Sequence, residues 1–114
     1  MTRRKKTIWL LKLLHFSTRM TMTETADFFL KVESLRKHMM LNISQMSELL
    51  GVSRMSYYGW VSGKPISKRS EKKVKTTVKK LLKIMQDHDW PTVNVITMES
   101  GERFNYLQQL LAES

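Results

Sequence analysis

Cysteine is absent from this chain. Disulfides, Cys-ligated zinc and thiol catalysis are therefore excluded. The absence fits a reducing compartment, and a cytoplasmic one is expected. Acidic residues are scarce over the first 83 positions, where five Asp/Glu stand against 19 Lys/Arg, a balance of +14. Residues 84–114 reverse the sign, with only Arg103 against Asp87, Asp89, Glu99, Glu102 and Glu113, a balance of −4. The whole 114-residue chain carries +10. Charge of that size speaks to partners and solubility rather than to fold. It points to nucleic acid or an anionic membrane surface, against the plainer alternative of a solvated lysine-rich helix.

The residue sets that carry enzyme chemistry are also missing. There is no Ser/His/Asp set, no pair of carboxylates and no glycine-rich phosphate loop. His15, His38 and His88 lack metal-ligand spacing. No enzyme activity, cofactor, metal or small-molecule substrate is expected.

No apolar run is long enough to span a bilayer, which needs ~20 residues. Ile8–Leu14 is interrupted by Lys12 and follows Arg3-Arg4-Lys5-Lys6. This front resembles a signal peptide, but no small-residue cleavage site follows it. Three readings stay open for residues 1–22. The segment is a basic amphipathic arm, a membrane-surface helix using residues 1–16, or an artefact of gene-start choice with the working chain beginning at Met20 or Met22.

The rest divides into a body over 23–88 and an ending over 89–114. Apolar residues make up 41% of the chain, enough for one modest core. Phe28, Val32, Leu35 and Met39 recur at helical spacing, which predicts a helix from about Thr25 to Met39. Thr23 or Thr25 would cap it, and Lys31, Arg36 and Lys37 would lie on its outer face.

A second helix is expected from Asn42, with Gln45 completing a box-like start. Ile43, Met46, Leu49 and Leu50 form its inner side. Gly51 ends it, Val52 plugs the turn, and Ser53 caps a third helix. In that helix Tyr57, Trp60 and Val61 face inward, and Arg54, Met55, Ser56, Tyr58 and Gly59 lie at or near the outer face. Gly63 ends the third helix.

A fourth helix over about Ser67–Asp87 carries a core stripe of Val74, Val78, Leu81, Leu82 and Met85. Its remaining surface is mostly lysine, and a phosphate backbone would relieve that self-repulsion. After Trp90-Pro91, the β-branched run Val93–Thr97 predicts a short strand. A final helix from about Ser100 would carry Phe104, Leu107 and Leu111 on one side, with Leu110 beside them. An unpaired strand needs a partner, and a second copy of the chain is a candidate.

The stretch Leu41–Lys64, LNISQMSELLGVSRMSYYGWVSGK, is the most distinctive. It combines Leu41, the small Ser47, the turn Leu50-Gly51-Val52-Ser53, then Arg54, Trp60 and Ser62-Gly63-Lys64. Small residues at Ser47 and Gly51 let two helices approach steeply. On these residues it resembles the helix-turn-helix of the Cro/cI (XRE) family of DNA-binding regulators, over roughly residues 28–82. The resemblance implies an all-α, compact four- to five-helix lambda-repressor-like domain, here followed by the short strand and last helix.

It further implies sequence-specific binding of double-stranded DNA by a small phage or prokaryotic repressor, acting as a homodimer. Recognition helix 54–62 would enter the major groove. Arg54, Met55, Ser56 and Gly59 then match base-contacting positions, with Arg54 suited to guanine O6 and N7. Asn42, Ser53, Tyr58, Ser62, Lys64, Lys68 and Arg69 match phosphate-contacting ones.

Two departures from the family pattern stand out. Ile43 occupies the place where the family commonly has Gln. Gly59 offers no side chain to a base and weakens its helix by about 1 kcal/mol relative to Ala. The alternative function is a protein-interaction module, such as an antitoxin, anti-repressor or polymerase-binding factor, holding its partner through the acidic segment 90–114.

Overall fold

A computed structural model describes residues 22–113 of the chain, with side chains from Glu24 onward. The N-terminal readings for residues 1–21 lie outside the described residues. Within them the architecture is all-helical. The helices are α1 Met22–His38, α2 Ile43–Leu50, α3 Arg54–Val61, α4 Lys68–Asp87, α5 Val93–Thr97 and α6 Ser100–Ala112.

Side-chain caps set where several helices begin. Asn42 accepts from the Gln45 backbone N–H at 2.7 Å, and the Gln45 side chain accepts from the Asn42 N–H at 3.0 Å. That reciprocal pair is the box expected at the start of α2. Ser53 caps α3 by accepting from the Ser56 N–H at 3.0 Å. Ser67 does the same for α4 through Ser70 at 3.2 Å.

A shared device ends the first four helices. The chain passes through positive φ at Met40 (63°), Gly51 (70°), Gly63 (99°) and Asp89 (53°). The next residue then donates its N–H five positions back: Leu41 to Arg36, Val52 to Ser47, Lys64 to Gly59 and Trp90 to Met85, all at 2.9–3.1 Å. An apolar residue at that donating position packs against the helix it terminates. Leu41 and Trp90 are buried and Val52 is half-buried. Lys64, at the end of α3, is the exception.

One apolar core joins the elements. Phe28, Phe29, Val32 and Leu35 of α1 meet Tyr57 and Trp60 of α3, Met46 and Leu50 of α2, and the Val74–Met85 stripe of α4. That stripe is the expected one with Ile84 added. The chain after Asp89 belongs to the same core through Trp90, Val95, Leu107 and Leu110. Trp90 donates its indole N–H to the Met39 carbonyl at 3.2 Å and stacks on Tyr106 at 5.9 Å between ring centroids.

Several expectations need correction. The chain is already helical at Met22, so Thr23 and Thr25 are not caps. Thr25 is instead buried, one turn before Phe28 and Phe29 on the same face. Arg36 does not lie on an outer face but is half-buried and engaged by side chains.

Val93–Thr97 is a helix, not a strand. Thr92 caps it by accepting from the Val95 N–H at 3.2 Å. The Arg103 guanidinium donates to the carbonyls of Val95 (2.9 Å), Ile96 (3.4 Å) and Met98 (2.7 Å), which closes its far end. These contacts override the β preference of the run. With no strand edge to pair, that motive for a second copy falls away. The inward side of α6 is Arg103, Leu107 and Leu110, with Phe104 and Leu111 half-buried, and it packs on α4 within the chain.

Candidate nucleic-acid interface

The α2–α3 unit is built around two buried side chains of α3. Tyr57 and Trp60 lie one turn apart and enter the core beneath α1. Phe29 meets the Tyr57 ring edge-on at 6.0 Å and the Trp60 ring at 5.3 Å between centroids. Ser47 is 2% exposed, and a residue that small lets α2 lie close to its neighbours.

A polar group pins α3 to α1. The Tyr57 hydroxyl donates to Glu33, and Arg36 donates two hydrogen bonds to the same carboxylate at 2.7 and 2.9 Å. Arg36 also donates to the Leu41 carbonyl at 2.8 Å, tying in the end of α1. Burial pushes the Glu33 carboxyl up, but Arg36 and Tyr57 outweigh it and hold the group below its ordinary 4.5. Burial, and then the bond to Glu33, raise the Tyr57 hydroxyl, so it stays a donor. The bond to Glu33 likewise strengthens the hold of Arg36 on its proton. Sequence reading missed this set because its members are scattered and none has a motif. The only local signal was Glu33 and Arg36 at i, i+3.

With Tyr57 and Trp60 turned inward, the opposite side of α3 is offered to solvent. Met55 is 84% and Tyr58 56% exposed, large values for apolar and aromatic side chains. Arg54 is exposed at the first residue of α3, and its guanidinium reaches Ser44 of α2 at 3.4 Å. Ser56, half-buried, is partnered with Ser53 at 2.9 Å between hydroxyls. Gly59 lies a turn beyond Met55 on this side. Met55, Ser56, Gly59, Trp60, Lys64 and Pro65 line one shallow groove of about 240 Å³.

The remaining named residues are spread around this helix. Asn42 and Ser53 serve as caps. Ser62 donates its hydroxyl back to the carbonyls of Tyr58 and Gly59, at 3.0 and 2.9 Å. Lys64, Lys68 and Arg69 are exposed between the end of α3 and the first turn of α4. Arg69 also lines a separate groove of about 420 Å³ on α4, with Lys72, Lys73, Thr76 and Thr77. Lys73 donates from Nζ to the Gly51 carbonyl at 2.7 Å, so this lysine also closes the α2–α3 turn. Spacing along α4 alone did not signal that contact.

No protein-family model, curated protein or solved structure matches this chain. Among the described residues no His/Cys/Asp/Glu group has the makings of a metal site. No helix among them is long and apolar enough to cross a membrane.

Proposed function

We propose that this protein binds double-stranded DNA sequence-specifically and acts as a small transcriptional regulator of the Cro/cI kind. Helix α3 enters the major groove. The observation that carries this reading is the division of α3. Its Tyr57/Trp60 side is locked in the core, and its Arg54/Met55/Tyr58 side is bare. A helix held rigidly from behind, with a cation and apolar groups in front, suits the mixed edges of base pairs. Those edges offer acceptors on guanine and a methyl group on thymine.

The surroundings support the same reading. Lys68 and Arg69 flank the helix and are suited to phosphate. Most α4 lysines point outward on a helix whose only acid before Asp87 is Glu71. Such a surface gains when phosphates release their condensed counterions to it. The protein would act in the cytoplasm of a prokaryotic or phage-infected cell, as a repressor by the family resemblance.

The test is selection from random duplexes with the purified chain. Enrichment of a defined sequence is expected, and a palindrome would establish a dimer and its half-site spacing together. Recovery of unenriched sequence at every salt concentration would refute the proposal.

A second reading is a protein-binding module working through α5–α6. It is favoured by Val93 and Ile96, which are 76% and 52% exposed one turn apart on a short helix. Val93→Ser with Ile96→Ser should then abolish partner capture while leaving any DNA binding intact.

A further inference from the structure

Helix α3 lacks a side chain at the position one turn beyond Met55, because that residue is Gly59. Bare backbone there leaves a gap in the outward face. The structure fills it from outside the helix. Gly63, at φ 99°, turns the chain back, and the Lys64 N–H bonds to the Gly59 carbonyl at 2.9 Å. The Lys64 side chain then lies across Gly59. A Cβ built on Gly59 would stand 3.1 Å from Lys64 Cδ, 3.8 Å from its Cβ and 3.9 Å from its Cγ.

The other helix ends show why this placement is unusual. At α1, α2 and α4 the residue in the same structural position is Leu41, Val52 or Trp90. None of the three carries a charge; Leu41 and Trp90 are buried and Val52 is half-buried. At α3 the apolar contact is made by the methylene stem of a lysine. A stem can satisfy that contact while its charged head stays in water. The ammonium lies two bonds beyond Cδ, and Lys64 shares its groove with Met55, Ser56 and Gly59.

Resting on the DNA-binding reading, we propose that Lys64 is a base-reading residue that supplies the side chain missing at Gly59. Its ammonium donates to the O6/N7 edge of a guanine in the major groove. The family resemblance implies a contact to phosphate or a neighbouring base for Lys64, and the stem across Gly59 commits it to a base. The two roles differ in a measurable way. A phosphate contact lowers affinity for every sequence alike, whereas a base contact carries discrimination at one base pair.

The experiment uses the full chain and the duplex it enriches, with each base pair of that site replaced in turn. Lys64→Met keeps the stem over Gly59 and removes the charge. It should erase about tenfold of the preference at one G·C pair and leave the other positions unchanged. Gly59→Ala brings a Cβ to 3.1 Å from Lys64 Cδ, so the stem must shift by a few tenths of an ångström, and should alter preference at the same pair. The double variant should discriminate no worse there than Lys64→Met alone, because the two residues act as a unit. Thermal unfolding of each variant checks that the fold is kept.

Equal loss on every duplex from Lys64→Met overturns the inference and returns Lys64 to phosphate. So does a Gly59→Ala effect at a different base pair, or one that adds to that of Lys64→Met. Each of these results leaves the DNA-binding proposal standing. If the parent chain enriches no sequence, that proposal and this inference fail together.

Discussion

At Glu33 one half-buried carboxylate accepts hydrogen bonds from two side chains, Arg36 and Tyr57. Because Arg36 and Tyr57 hold the folded carboxyl below 4.5, its ionised form stabilises the fold. That contribution is fully present above the ordinary carboxylate range and is lost as pH falls through the folded value. Urea midpoints measured from about pH 6 down to about pH 3 should therefore drop, and Glu33→Gln should flatten the drop while lowering stability near neutrality. A variant that keeps the parent's full acid dependence would count against this role. Tyr57→Phe should cost about 2 kcal/mol, the range for a hydrogen bond to a charged group. Ser47 makes the opposite case. Its hydroxyl is buried and has no hydrogen-bond partner among the described residues. Ser47→Ala should raise stability by about 1 kcal/mol, and a fall in melting temperature would show that the hydroxyl has a use.

Among the elements, the helix ends decide more than the helix interiors. Gly51→Ala places a side chain at φ 70° and brings its Cβ to 2.7 Å from Lys73 Cε. The left-handed backbone costs about 1–2 kcal/mol for an L-residue, and the Lys73 bond to the turn must also shift. Gly101 is the control, since it sits in α6 with open space around it. Gly101→Ala should stabilise by about 0.5–1 kcal/mol, so the two melting temperatures should move in opposite directions. Several of these ends were legible in the sequence. Asn42 with Gln45, Gly51, Ser53 and Gly63 are local signals, and each lies where its chemistry predicted. So do the inward Tyr57 and Trp60 and the α4 stripe, because helical periodicity is also local. Val93–Thr97 was misread for the converse reason. Its β-branched residues favour a strand in isolation, and the deciding contact comes from Arg103 on the following helix. The Glu33–Arg36–Tyr57 set was hidden likewise, because Tyr57 reaches Glu33 across 24 positions. In the candidate interface, the helical spacing of the inward Tyr57 and Trp60 marked Arg54 and Met55 as outward. Only the folded chain placed the Lys64 stem across Gly59.

For the whole molecule, the acidic ending is part of the body it follows. Trp90, Val95, Leu107 and Leu110 complete the core that holds α1 and α4 together. Trp90→Ala should cost about 3–5 kcal/mol, a large share of the ~5–15 kcal/mol that holds a typical domain folded. A chain ending at Asp89 should lose its cooperative unfolding transition, and one that melts like the full chain would contradict the shared core. The exposed Lys68 and Arg69 are the cations that the DNA-binding proposal sets against phosphate. Lys68→Ala or Arg69→Ala should weaken binding to all duplexes and flatten the logarithmic salt dependence by about one unit each. Neither change should alter which sequence is preferred. If the bare side of α3 reads base sequence, Arg54 at its first turn carries that discrimination. The measurement is the affinity of the parent chain and of Arg54→Ala for the selected duplex, its single-base-pair variants and random DNA. Loss of about tenfold or more of discrimination at one base pair, with thermal unfolding unchanged, is the predicted result. Equal loss on selected and random duplexes would contradict it.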